Sequence, residues 1–354
     1  MKSILLGEIS SYKAIVIAQY VKKNYSNIYI VGYDYKPLVR VFYTRYCDKI
    51  YIIENPSLQK SAHIKSISTI IKNNGINAFI PVDSAMYEDY IKEKKQFNDA
   101  LSYIGDVDVY KQLHNKLLSQ NLAHYLSIRT PKIYDNIKEA RIPFIVKPTN
   151  LSSSKGIKYI LSKHDKKKSI FFDKLDFVIQ EYVRGIGCGY SVFAVNGNII
   201  CGHGHIRLAE LPISGGSSMY RDNYHNQEMI QIAEKLLKAT KWSGFAMFEF
   251  KLTPENELVF IEVNPRIWGS INQGLQNGVN YFEFLLGKID KQVQIESIRT
   301  YLSPGIYFSL FAYMLKSNFI PIYKYFRNIR SNRVDVNLFT DFKGYMSMLL
   351  RKIT

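Results

Sequence analysis

The sequence predicts an α/β fold that passes into an α+β one, with a parallel-sheet domain at the N-terminus followed by segments built on antiparallel hairpins. Three observations predict it. The first hundred residues alternate short β-branched runs with helical segments. Asn196-Gly197 joins two strand-like runs with the dipeptide that left-handed hairpin turns require. Residues 244–271, GFAMFEFKLTPENELVFIEVNPRIWGSI, read as two strands joined by the turn residues TPENE.

Taken in order, SILLG reads as a strand, residues 12–23 as a helix, and NIYIVGYD as a second strand with Asp34 at its carboxyl end. KIYII, a helix around residues 63–73 and NAFIPVD repeat the unit. Strands separated by helices return in the same direction and form a parallel sheet, so residues 1–106 are expected to make a Rossmann-like domain. A dinucleotide site is not indicated, because Gly7 alone follows the first strand and G-x-G-x-x-G is absent.

From Val107 onward, Leu113, Leu117, Leu118 and Leu122 mark one helix that stops before Pro131. Lys116 sits on it, where a lysine is ordinarily a solvated charge. Residues 143–147 then form a strand, residues 149–156 a small-residue loop, and residues 157–160 a return strand. Such a loop, ended by a glycine, can turn backbone N–H groups toward phosphate oxygens, with Lys147 supplying a point charge at its base. The lysine precedes the loop, so this is not a Walker loop. An ordinary lysine beside a polar hairpin is the alternative.

FVIQEYVRG is an apolar strand carrying Gln180 and Glu181. The hairpin around Asn196-Gly197 puts His203, His205 and Arg207 on one face of its second strand. No third ligand at a telling spacing turns the two histidines into a zinc site.

The hairpin of residues 244–271 is the densest in chemistry. Alternation places Phe245, Met247, Glu249 and Lys251 on one face, and Leu258, Phe260, Glu262 and Asn264 on a face of the partner. If Glu249 pairs near Glu262, two carboxylates meet and repel, which calls for a compensating cation. Magnesium takes one or two carboxylates plus substrate phosphates, and Asn264 adds a neutral oxygen. Arg266, beyond Pro265, can hold a phosphate or carboxylate in a planar fork. A solvated hairpin with Glu249 paired to Lys251 is the plainer reading.

Composition bounds the rest. At 354 residues and 47% hydrophobic content, the chain can bury two or three subdomain cores. Its opening, MKSILLGEIS, has neither a secretory signal nor an anchor, and no run approaches the roughly 20 apolar residues that span a bilayer. Three cysteines without metal spacing fit a reducing, cytoplasmic setting. A net charge of +17 suits an anionic partner, but no RNA-binding or helix-turn-helix signature accompanies it, so nucleic acid is disfavoured. Residues 316–333 hold five basic residues and no acid, interleaved with Phe319, Tyr323, Tyr325 and Phe326. They fit a peripheral membrane or anionic-substrate patch, or a basic extension packing its aromatics on the core, the latter being favoured.

FEF followed by IEVNPRIWGS resembles the metal-binding hairpin of ATP-grasp enzymes, nearest the group of carbamoyl-phosphate synthetase large-subunit and biotin-carboxylase domains. Lys147 with its loop and the QEYV segment supply two further motifs in the right order, so the resemblance covers about residues 107–290. It implies a two-lobed ATP-grasp domain with antiparallel sheets. Residues 107–184 would be the small-lobe region, residues 185–300 the large-lobe region with the metal site, and residues 301–354 a basic aromatic extension.

The resemblance implies ATP and Mg²⁺ (or Mn²⁺) as cofactors. Lys116 and Lys147 would reach the nucleotide phosphates, with Ser152, Ser153, Ser154 and Gly156 in the covering loop. Gln180, Glu181 and Val183 would meet adenine, Glu249, Glu262 and Asn264 would hold metal, and Arg207 and Arg266 would be the catalytic cations. Residues near Gly7 and Asp83 are candidates for the acceptor site. Gly189 departs from the pattern, standing where many relatives have a glutamate, which puts the ribose contact in doubt.

The implied activity is a carboxylate–amine ligase working through an acyl phosphate. Its partners would be a small-molecule carboxylate and amine, such as an amino acid or a glycan-linked uronic acid, and homodimers are common among relatives. A bicarbonate-phosphorylating carboxylase or carbamoyl-phosphate type of enzyme is the runner-up; no glutaminase, second synthetase half or biotinyl-carrier domain supports it. A non-catalytic ATP-binding regulator is the third reading.

Overall fold

The computed structural model describes residues 2–150, 156–168, 177–213, 215–289 and 297–351. Its first unit is the parallel sheet that the strand–helix alternation predicts. β1 (Lys2–Leu6), β2 (Ile28–Asp34), β3 (Lys49–Ile52) and β4 (Ala78–Ile80) run in the order β3-β2-β1-β4. α1 (Tyr12–Asn24) and α2 (Lys60–Asn73) make the crossovers, and α3 (Tyr87–Lys92) follows. Ser11 starts α1 by accepting the Ala14 N–H through its hydroxyl, and Ile15, Ile17 and Val21 are then fully buried.

The single helix expected after Val107 is broken in two, α4 (Val107–His114) and α5 (Lys116–Tyr125). Asn115 is the reason. Its backbone is extended, and its side-chain oxygen accepts the N–H groups of Leu117 and Leu118, so it caps a new helix. Lys116 thereby becomes the first residue of α5, buried, with its own N–H donating to the Thr149 carbonyl.

β5 (Ile133–Tyr134), β6 (Phe144–Pro148), β7 (Lys158–Ile160) and β8 (Phe177–Glu181) form a second sheet, antiparallel and ordered β5-β8-β6-β7, with α6 (Lys163–Lys168) beside it. It has a small core of its own around Ile137, Phe144, Val146, Ile160 and Ile179.

The third sheet is the largest. β9 (Ile186–Val195), β10 (Asn198–Leu211), β11 (Ser217–Asn223), β12 (Gly244–Leu252), β13 (Leu258–Asn264), β14 (Arg299–Tyr301) and β15 (Asn332–Val334) are ordered β13-β12-β9-β10-β11-β14-β15. Asn196 and Gly197 both take positive φ, 48° and 78°, which the tight β9–β10 turn requires. α7 (Gln227–Thr240), α8 (Ile271–Gln276), α9 (Glu283–Leu286), α10 (Gly305–Leu315), α11 (Ile320–Arg327) and α12 (Phe342–Leu350) complete the chain. One core joins the first and third sheets, where Tyr103 meets the rings of Phe193 and Phe245, and Trp242 and Trp268 are buried. Fully burying a large apolar side chain contributes about 1.5–3 kcal/mol, so this shared core couples the two units firmly.

The C-terminal stretch is part of this architecture. β14 and β15 extend the third sheet, and Arg351 returns to the first, pairing with Glu8 and with Asp34 at 3.4 Å. Its aromatics depart from the expected packing on the core. Tyr325 is buried, but Phe319, Tyr323 and Phe326 are each about 60% exposed. Among the described residues no helix is long and apolar enough to cross a membrane.

Candidate active site

A cavity of about 200 Å³ lies where the second and third sheets face each other. Its wall includes Lys116, Lys147, Arg207, Glu249, Glu262, Asn264 and Arg266, which the sequence picked out separately. Strand geometry explains the convergence. Glu249 on β12 and Glu262 on β13 are direct cross-strand partners. Immediately beyond them the ladder slips, Phe250 pairing with Phe260, so that Ile261 is the extra residue of a bulge. The bulge turns the Ile261 carbonyl toward Gln120, which donates to it at 2.7 Å, and leaves the Ile261 side chain on the cavity wall.

The carboxylates are held by opposite charge. Glu262 lies 3.7 Å from Lys147 Nζ and 4.0 Å from Lys116 Nζ. Burial alone would raise its pKa, but Lys116, Lys147, Arg207 and Arg266 outweigh burial and hold it below the usual glutamate value. Glu249 accepts from Arg207 Nη2 at 2.6 Å and from Asn264 Nδ2 at 2.9 Å. Arg207 also reaches Glu210 at 3.2 Å and the Gly216 carbonyl at 3.3 Å, tying the Gly215-Gly216 loop to the site. Arg266 donates to Asn264 Oδ1 at 2.8 Å and to the Ile267 carbonyl at 3.1 Å.

This donor set fits magnesium. Two carboxylates and an amide oxygen supply hard ligands, and phosphate oxygens would complete the shell. Among the described residues no three His, Cys, Asp or Glu side chains cluster as a metal site. His203 and His205 are kept neutral, the first pushed down to about 4 by burial and the second well below its ordinary value by burial, Arg207 and His203.

One wall of the cavity runs along β6. Ile145 and Lys147 share a face of that strand, Ile145 standing opposite Tyr159 and Gln180, and Lys147 opposite Val178. Ile145, Tyr159, Gln180, Tyr182 and Val183 line the cavity, two aliphatic and two aromatic side chains with one amide. Glu181 differs from its expected placement. Gln180 points inward, so alternation turns Glu181 outward, where it is exposed and accepts the Lys132 N–H at 3.3 Å. Gly156 has φ +75° and is exposed off the cavity wall, while the expected loop residues Ser152, Ser153 and Ser154 lie outside the described residues.

Residues 113–270 match the ATP-grasp domain family. Over that stretch the chain is similar to an ATP-grasp domain. Biotin carboxylase from Campylobacter jejuni superposes with a TM-score of 0.65 at 15% identity, over 80% of this chain and 70% of that one. L-amino acid ligase from Bacillus licheniformis gives 0.62 at 12% identity, over 84% and 78%. N5-carboxyaminoimidazole ribonucleotide synthetase from Thermotoga maritima gives 0.58 at 13%, over 84% and 79%. Such distant likenesses establish the fold. No curated protein matches by sequence.

The site also holds contacts that the sequence did not give. Gly189 on β9 stands between Glu249 and His205 on the neighbouring strands, and a Cβ there would come within 2.9 Å of the His205 ring. The space beside Gly189 is filled by a neutral imidazole, whose Nε2 lies 3.3 Å from Ser270 Oγ. Tyr12 reaches the wall from α1 of the first domain, and Gly269 is required for that approach, since a Cβ would lie 2.3 Å from the Tyr12 hydroxyl. No sequence pattern could give this contact, because it joins segments far apart in the chain. Gly7 and Asp83 do not line the cavity.

Lys147 carries a testable pH signature. It is almost fully buried, and burial pushes its pKa down to about 8 against the pull of Glu262. If its charge holds nucleotide phosphate, affinity for ATP should fall as pH rises through about 8, with a proton taken up on binding above that pH. Isothermal titration in buffers of differing ionisation heat measures both, and Lys147→Arg, which stays charged, should abolish the dependence. Flat affinity from pH 7 to 9 in the parent would remove Lys147 from the phosphate site.

Proposed function

We propose that this protein is an ATP-dependent carboxylate–amine ligase. The observation that carries the reading is the in-register Glu249–Glu262 pair, enclosed in one cavity with Lys116, Lys147, Arg207 and Arg266. A carboxylate is a poor acyl donor because oxide is a poor leaving group. Its oxygen would attack the γ-phosphorus of ATP, releasing ADP and leaving an acyl phosphate. The amine lone pair would then attack the acyl carbon, the C–O bond to phosphate would break, and the amine would lose a proton as the amide forms.

Two anions must approach in the first step, so the site has to neutralise them. Lys116 and Lys147 would hold the nucleotide phosphates. Arg207, anchored by Glu249 and Glu210, and Arg266, anchored by Asn264, would face the transferring group. Glu249, Glu262 and Asn264 would hold Mg²⁺ or Mn²⁺, which supplies charge neutralisation on the phosphate oxygens. Gly215-Gly216, Tyr12 and Ser270 border the remaining space and are the natural contacts for the acceptor. The organic acid is proposed to be an amino acid or a glycan-linked uronic acid, with the reaction in the cytoplasm, where ATP is supplied.

Phosphate release from Mg-ATP, measured across amino acids, uronic acids and bicarbonate offered singly and in pairs, tests the proposal. Release that requires a pair, with a product lighter by one water than its two substrates by mass spectrometry, is expected. Release with bicarbonate as the sole acid would instead support the carboxylase reading. Tight ATP binding with no release under any pairing would support the regulator.

A further inference from the structure

The face that α10 and α11 turn outward is both apolar and cationic. On α10, Tyr307, Phe308, Phe311, Met314 and Leu315 are between 45% and 68% exposed. Their spacing of one, four, seven and eight residues puts them on one stripe. Ile306, Ser309 and Leu310 on the other side are buried against the core of β10 and β11. Phe319, Ile320, Tyr323, Phe326 and Ile329 continue the exposed surface through α11 at 54–64%, while Pro321 and Tyr325 face inward. Single exposed apolar residues are ordinary, but eight on two touching helices, with Phe319 and Ile329 flanking the second, are not.

The charges on this hairpin all have one sign. From Gly305 to Arg333 there is no acidic residue, and Lys316, Lys324, Arg327, Arg330 and Arg333 are exposed. Among the described residues none of these five enters an ion pair. Arg327 instead lies over the Tyr323 ring, 5.8 Å from its centroid. A second copy of the chain docking here would bring like charges together, which is costly. Tyrosine and phenylalanine beside lysine and arginine suit a different boundary, the zone between lipid headgroups and acyl chains.

We propose that the α10–α11 hairpin docks this protein on an anionic bilayer surface. Its aromatic stripe enters the headgroup–acyl boundary and its lysines and arginines meet acidic headgroups. The attachment is peripheral, since among the described residues no helix can span a bilayer.

Co-sedimentation with phosphatidylcholine–phosphatidylglycerol vesicles, and with phosphatidylcholine vesicles alone, tests this. Binding to the anionic vesicles is expected, weaker by about tenfold or more on neutral vesicles and weakened by salt. Two variants separate the contributions. Phe308→Ser with Phe311→Ser and Tyr323→Ser removes the stripe, and Lys324→Glu with Arg327→Glu and Arg330→Glu reverses charges that are already solvated. Each should lower vesicle binding about tenfold or more while circular dichroism and ATP binding stay unchanged. The proposal is overturned if the folded parent ignores anionic vesicles, or if both folded variants bind them like the parent. A soluble dimer that these substitutions dissociate would overturn it as well.

Discussion

Replacing Glu262 with glutamine is expected to lower ATP turnover by about 10³-fold while leaving the fold intact, because the amide keeps the shape of the carboxylate and removes its charge. Glu262 faces Lys147 at 3.7 Å, Lys116 at 4.0 Å and Glu249 across the ladder. Losing the charge removes half of the carboxylate pair proposed to hold the metal. It also strips Lys147 of the anion that opposes its burial, so a pKa already near 8 should fall further and leave a neutral amine where phosphate needs a cation. Steady-state phosphate release, circular dichroism and nucleotide affinity together measure the outcome. Turnover within about tenfold of the parent would sink the metal assignment.

The same residue gives an acid-stability prediction. The folded-state pKa of Glu262 lies below its ordinary value of 4.5, so the folded carboxylate resists protonation more than the unfolded one. Its contribution to stability is therefore present above about pH 4.5 and fades as pH falls through the folded value. Denaturation of Glu262→Gln should lack that part of the acid slope.

How far the sequence could be read follows from the kind of contact involved. The Glu249–Glu262 meeting was legible because strand alternation and a five-residue turn leave few registers open. Lys147 was legible as a lysine ending an apolar strand. The outward turn of Glu181 was also available, since placing Gln180 inside decides its neighbour by alternation. The helix break at Asn115 carried a local signal too, an N-cap residue two and three positions before the N–H groups it accepts. The reach of Tyr12 to Gly269 and the filling of the Gly189 space by His205 were not legible, because both depend on how separate elements pack. Exposure of the C-terminal aromatics was hidden for a related reason. A helix patterned to bury one face and a helix patterned to dock on a membrane share a period, and only the fold tells which apolar face is left open.

Arg221→Met is expected to destabilise the protein by about 3–5 kcal/mol, the scale for removing one partner of a buried ion pair. Arg221 and Asp335 are 1% and 2% exposed and bond directly to each other. Arg221 Nε also donates to Thr300 Oγ1 at 2.7 Å, and Asn272 donates to Asp335 at 3.0 Å, so one network pins β11, β14, α8 and the chain after β15. Burial raises the Asp335 pKa even with Arg221 and Asn272 pulling it down, which shows how costly the charge is to desolvate. Without the arginine the carboxylate must stay charged and unpaired or take up a proton.

The sign of the pH effect follows from that choice. The folded pKa of Asp335 lies above its ordinary 3.8, and should rise further in Arg221→Met. Stability of the variant is then greatest below about pH 3.8 relative to the parent, and the deficit grows as pH rises through the folded value. Urea denaturation across that range measures it. A double variant, Arg221→Met with Asp335→Leu, removes both charges together and should recover most of the loss at neutral pH, because an apolar pair of similar volume can replace a buried ion pair. A double variant no more stable than Arg221→Met would mean that packing, rather than the uncompensated Asp335 charge, is what the substitution disturbs.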